Sequence, residues 1–143
     1  MEIVDRIFID SDIILDLLAK REPFFRFSAE IFSLVDSKKI IAYVSPLIFA
    51  NLYSILRKLR SREVAGESLN KLKLLLKILP IDEKIIELAL LSEFNDFEDA
   101  IQYYTAKENG ISYLITRNKK DYKQTDLIIC TAEEYLSMWK SKR

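Results

Sequence analysis

Arg6 to Ala19 reads RIFIDSDIILDLLA, and its pattern changes at Asp10. Before that point, Arg6 to Asp10 (RIFID) is a short, nearly continuous apolar run rich in isoleucine, as a strand buried on both faces requires. After it, Ser11 is placed to cap a helix over Asp12 to Ala19. A buried strand that runs straight into a helix is the opening of an α/β unit. The residue at the junction is an acid, Asp10.

The rest of the chain repeats the alternation. Pro23 opens a helix over Phe24 to Asp36, with Phe27, Ile31, Leu34 and Val35 at helical spacing. Ile40 to Val44 (IIAYV) is a second strand, and Ser45-Pro46 starts a helix that runs to Leu59. A further helix, Ser61 to Lys77, carries Leu69, Leu72, Leu76 and Leu79 along one side. Leu79-Pro80-Ile81 is a short strand at best, and Asp82 caps a helix over Glu83 to Leu91. The helix Phe97 to Asn109 closes at Gly110, which suits the left-handed position after a helix. Ile111 to Thr116 (ISYLIT) and Leu127 to Cys130 are strands, and Ala132 to Lys140 is the last helix. No two-residue hairpin turn interrupts the series. The expected fold is therefore α/β: one domain over residues 1–143, three layers α/β/α, with a central parallel sheet of four to five strands. In such sheets the functional site lies beyond the carboxyl ends of the strands.

Composition narrows the chemistry. The chain has 143 residues, 50% hydrophobic and 31% charged, which suits one soluble domain with a sizeable core. No apolar stretch reaches membrane-spanning length, the N-terminus lacks the pattern of a secretion signal, and there is one cysteine, Cys130. A cytoplasmic location is the expectation. Lysine plus arginine and aspartate plus glutamate number 22 each, so the net charge is zero. That disfavours a protein wrapping nucleic acid on a broad basic face, but not a local basic rim around an acidic site. There is no histidine. Histidine-based triads, imidazole bases and histidine-ligated metals are excluded, and one cysteine cannot build a thiolate zinc site. A metal would need oxygen ligands, which points to Mg2+ or Mn2+.

The acids fall where such a site would form. Asp10 ends the first strand, Asp121 follows the Ile111 to Thr116 strand, and Asp96, Glu98 and Asp99 start the helix before that strand. Carboxylates gathered at one rim repel one another unless a cation neutralises them. Each acid also has a plainer reading. Asp96 is a natural helix cap with Asp99 three residues on. Asp10 could start a turn, Arg117 to Lys123 could be a polar loop, and Asp12 and Asp16 read as first-turn and surface acids. The case rests on the combination.

That combination resembles the PIN-domain family of metal-dependent ribonucleases, and most of all its small prokaryotic branch with the toxins of VapBC-type toxin–antitoxin pairs. Phe8 to Leu18 (FIDSDIILDLL) is similar to the family's opening hydrophobic-Asp-Thr-Asn segment, and Asp96 to Ala106 (DFEDAIQYYTA) to its Glu-Asp-Ala helix start. Tyr113 to Tyr122 (YLITRNKKDY) is similar to its Thr-Arg-Asn loop. The resemblance implies an endoribonuclease using Mg2+ or Mn2+, an RNA substrate, a homodimer and room for an antitoxin partner. It implies Asp10 and Asp99 as metal ligands and Asp121 as a third catalytic acid that binds the metal or orients the attacking water. Asp96 would be auxiliary, and Thr116 and Asn118 would shape the rim. Asn51 stands where the family usually has a glutamate, and supplies at most a neutral carbonyl oxygen. Asp12 stands where the family's first motif usually has asparagine.

Arg117, Lys119, Lys120 and Lys123, with a second basic stretch at Arg57, Lys58, Arg60 and Arg62, are candidates for RNA phosphate contacts. Tyr103, Tyr104 and Tyr122 are candidates for base stacking. The Leu69 to Leu79 face is the candidate dimer surface. Two other readings stay open. One is a PIN-like scaffold that binds RNA or protein without cutting, favoured by Asn51 and Asn118. The other, minor, is a haloacid dehalogenase-like phosphatase with Asp10 as nucleophile and Asp12 as general acid/base.

Overall fold

In a computed structural model, residues 4–122 and 126–143 of the chain are described. β1 (Asp5–Ile9) leads into α1 (Ser11–Leu18) and α2 (Phe25–Asp36), then β2 (Ile40–Val44), α3 (Pro46–Leu59) and α4 (Arg62–Leu75). β3 (Lys77–Ile78), α5 (Glu83–Leu91), α6 (Phe97–Glu108), β4 (Tyr113–Ile115), β5 (Ile128–Cys130) and α7 (Ala132–Ser141) complete the series. The five strands form one sheet in the order β3-β2-β1-β4-β5, and every pairing is parallel.

The expected parallel sheet is thus present, with helices on both faces. Ile7, Phe8 and Ile9 are all fully buried, although successive side chains of a strand point to opposite faces. Ala42, Tyr43 and Val44 are likewise buried in succession in β2. α5 and α6 add a smaller cluster of their own, built on Ile85, Ala89, Ala100 and Ile101.

Two boundaries differ from the sequence reading. Asp10, not Ser11, caps α1: its side chain accepts the Ser11 N–H, and the helix begins at Ser11. The third strand is Lys77–Ile78, two residues ahead of Leu79-Pro80-Ile81, since Pro80 has no N–H to give a ladder. Leu72 and Leu76 are buried, and Leu69 and Leu79 pack against the core. The proposed dimer face is therefore spent inside the molecule. Gly110 behaves as expected, with φ +70°. Its N–H reaches the Lys107 carbonyl, and the Ile111 N–H the Ala106 carbonyl, the paired bonds that close a helix and aim the chain into β4.

The strand order positions the site. From β1 the chain moves outward to β2 and β3, then returns across the sheet to place β4 on the other side of β1. The order reverses between β1 and β4, so a crevice opens at their carboxyl ends. Asp10 leaves β1 there and Thr116 leaves β4, tied by the Asp10 N–H to the Ile115 carbonyl at 3.0 Å.

Candidate functional site

Asp10 is held from three directions. Its Oδ1 accepts the Ser11 N–H at 2.8 Å, and its Oδ2 accepts the Thr116 hydroxyl at 3.0 Å and faces the Tyr122 hydroxyl at 3.3 Å. The same Tyr122 oxygen lies 3.3 Å from Asp99 Oδ1. Asp99 comes from the first turn of α6, whose N-cap is Asp96: the Asp96 side chain accepts the Asp99 N–H at 3.0 Å. One phenol therefore joins the acid after β1 to the acid of α6.

These carboxyls resist ionisation. Asp10 is raised above the ordinary value chiefly by burial, against the hydrogen bonds it accepts. Asp99 is raised to about 7, first by burial and then by the charges of Asp96, Asp10 and Asp121. Asp12 is raised to about 6 by burial and by Asp10. Burial and the two flanking carboxylates push the Tyr122 phenol upward, so it stays protonated and donates.

Two hollows meet at Asp99. The smaller, about 120 Å³, is lined by Asp10, Asp12, Asn51, Glu98, Asp99 and Asn118, among others. The larger, about 620 Å³, is lined by Asp96, Asp99, Tyr104, Lys120 and Asp121, among others. Asp121, exposed at the end of a single 3-10 turn (Lys119–Asp121), acts on Asp10 and Asp99 through its charge. The predicted acids are thus brought to one rim but divided between its two sides.

Several side chains depart from expectation. Asp12 and Asp16 are not surface acids. Asp12 Oδ2 accepts the Arg117 N–H at 3.1 Å and the Asn118 side-chain amide at 3.2 Å, while its Oδ1 is buried without a hydrogen-bond partner. Asp16 is 0% exposed and forms an ion pair with the Arg117 guanidinium at 2.9 Å. Arg117, predicted to face RNA, turns inward to that pair and over the Phe24 ring. Lys119 pairs with Glu134. Of Arg117, Lys119 and Lys120, Lys120 alone lines the cleft, and Lys123 lies outside the described residues. Tyr103 and Tyr122 are buried and pack with Phe94, which leaves Tyr104 as the half-exposed ring. The sequence reading set Glu98 among the rim acids without giving it a role, and it missed the bridging role of Tyr122. The Glu98-Asp99 pair at a helix start was a usable signal for the first; nothing in the sequence spacing announced the second.

A family model described as PIN domain matches residues 6–120. The chain belongs to the PIN-domain family. Ribonuclease VapC1 of Aquifex aeolicus (strain VF5) is 26% identical over 140 residues, spanning 94% of this chain and 96% of the relative. Among solved structures, FitAcB from Neisseria gonorrhoeae superposes with a TM-score of 0.71 at 18% identity, covering 89% of this chain and 98% of that one. VapC20 of Mycobacterium tuberculosis, a sarcin-ricin loop cleaving toxin, gives 0.61 at 16% identity, covering 76% and 86%. PIN membership sets aside the phosphatase reading, and Asp12, whose Oδ2 is committed to the 116–118 segment, is not a free acid/base.

The donors of this PIN site suit a hard cation. All are oxygens, two of the carboxyls are raised by burial and mutual repulsion, and Asp12 Oδ1 is an orphaned buried acceptor nearby. Among the described residues no group of three or more acids encloses an ion by itself. Mg2+ does not require one, since it binds through one or two carboxylates and keeps several waters. Asp10 and Asp99 are the pair that would hold it.

Proposed function

We propose that this chain is a metal-dependent PIN endoribonuclease, the toxin of a toxin–antitoxin pair, acting with Mg2+ or Mn2+. The observation that carries the reading is the pairing of Asp10 and Asp99 across one Tyr122 hydroxyl at the switch point of the sheet. A cation bound there supplies charge that neutralises the carboxylates and makes a water acidic enough to attack phosphorus. Thr116 fixes the Asp10 carboxylate through its hydroxyl, and Asp12 fixes Thr116 by holding the next two residues. Asp121 lies on the cleft side, where its carboxylate can orient the attacking water. Asn51 offers a neutral oxygen on the other side. Lys120 faces the same cleft as Asp121 and is the side chain for a backbone phosphate, with Tyr104 for a neighbouring base. An antitoxin partner and a homodimer accompany this reading; the likeness to the toxin VapC20 and to a toxin–antitoxin complex from Klebsiella pneumoniae supports the first.

The test is cleavage of a mixed RNA pool with Mn2+ or Mg2+. The parent protein is expected to cut, and Asp10→Asn and Asp99→Asn to lose on the order of 100-fold or more, at least the effect of disturbing a metal's outer partners. Equal cutting by Asp10→Asn would sink the assignment. Asn51 favours a second reading, a binding scaffold without catalysis. In that case the parent is silent and its melting temperature ignores Mn2+.

A further inference from the structure

The site lacks an acid on α3. Asn51 occupies the position at which the resemblance leads one to expect glutamate, and an amide carries no charge to a cation. Across the small hollow, the Glu98 carboxylate approaches that same amide: Asn51 Nδ2 lies 3.4 Å from Glu98 Oε2. Glu98 and Asn51 line one hollow with Asp10 and Asp99. The side chain that α3 fails to supply is met there by one from α6.

We infer that Glu98 replaces the missing α3 glutamate, so that the charge of the PIN site is restored from the opposite helix. The inference rests on the metal-nuclease reading and adds a residue to it. Three features support it. Glu98 sits in the first turn of α6, where the helix dipole favours a carboxylate and no partner helix hides it. It makes no ion pair among the described residues, so no lysine or arginine there neutralises its charge. Its one side-chain hydrogen bond among the described residues is long, at the limit for such a contact, and comes from a neutral amide. Asn51 thus steers the Glu98 carboxylate toward the hollow without neutralising it. The amide and the acid together do from two helices what one glutamate would do from α3.

The test measures Mn2+ binding by calorimetry and by the Mn2+-dependent rise in melting temperature, beside RNA cleavage. Four proteins are compared: the parent, Glu98→Gln, Asn51→Glu, and the double variant Asn51→Glu with Glu98→Gln. Glu98→Gln is expected to bind Mn2+ about tenfold more weakly, the size of effect seen when a metal's supporting groups are removed. The double variant is expected to regain parental affinity, which a merely structural glutamate would not allow. Unchanged affinity in Glu98→Gln overturns the inference while leaving Asp10 and Asp99 as ligands. Failure of the double variant to recover also overturns it, because the charge then matters only from α6 or not at all. If the parent itself binds no Mn2+, the nuclease reading falls and the inference with it.

Discussion

Tyr122 has one hydroxyl proton and two carboxylates within 3.3 Å. It can satisfy only one at a time, so the ion-free site leaves a second carboxylate short of a donor. Burial and repulsion then favour a proton on the acids, which is why Asp99 is raised to about 7 and Asp12 to about 6. The consequence for stability has a definite sign. Between the ordinary aspartate value of 3.8 and about 7, folded Asp99 keeps a proton that the unfolded chain has released. Stability is therefore greatest at the acid end of this window and falls as pH rises through it; Asp12 adds to the fall up to about 6. Glu134, lowered by the Thr131 N–H and Lys119, works in the opposite direction only below its ordinary value of 4.5. In chelator, the melting temperature is expected to be higher at pH 5 than at pH 7.5, with Mn2+ narrowing the gap. A profile that rises with pH would contradict this account. At this scale the sequence was readable for residue type and order: Asp10, Asp99 and Thr116 meet as expected. It was not readable for partners, because Asp12 and Asp16 look like solvent acids until the 116–118 segment is laid against them.

At the scale of elements, α1 is the shelf on which that segment rests. Asp12 and Asp16, one helical turn apart, receive the Arg117 backbone and the Arg117 guanidinium. The pair is a buried one on the aspartate side, so breaking it from the arginine side leaves a fully buried charge unmatched. Arg117→Met is expected to lower unfolding free energy in urea by about 3–5 kcal/mol. Replacing Asp16 and Arg117 together by methionine is expected to cost much less, since no orphan charge remains. Equal losses in the single and double variants would mean that packing over Phe24, rather than charge, holds the segment. The strands were legible here because apolar runs of β-branched residues have few other uses. β3 was not, since two exposed residues, Lys77 and Ile78, carry no periodicity, and Pro80 drew attention to the wrong place.

Across the whole molecule, alternating strands and helices with no hairpin turn were sufficient to predict the parallel sheet. Helical spacing could say that Leu69, Leu72, Leu76 and Leu79 share a face but not whether that face meets the core or a second copy; the burial of Leu72 and Leu76 answers it. The large side chains left to solvent are elsewhere, including Leu74 at 86%, Leu90 at 68% and Leu91 at 85% exposed. A dimer, if formed, uses a surface such as these, and substituting Leu90 and Leu91 by serine is expected to leave folding intact. Sedimentation of the parent at high concentration is expected to exceed the 16.8 kDa monomer; a monomer alone would remove the dimer from this reading.

The place of β1 in the sheet carries a last consequence. The first strand of this domain to be made is the middle strand of the finished sheet, with β2 on one side and β4 on the other. Asp10 is made early, but Asp99, Thr116 and Tyr122 follow only after most of the chain, and the Asp10–Tyr122 contact spans 112 positions. Long-range pairing of this kind is slow and late in folding. A ribosome carrying the half-made domain therefore carries no assembled acid site. On the proposed toxin reading, nearly the whole domain must be made before it can act on RNA, which leaves that interval for a neutralising partner to arrive.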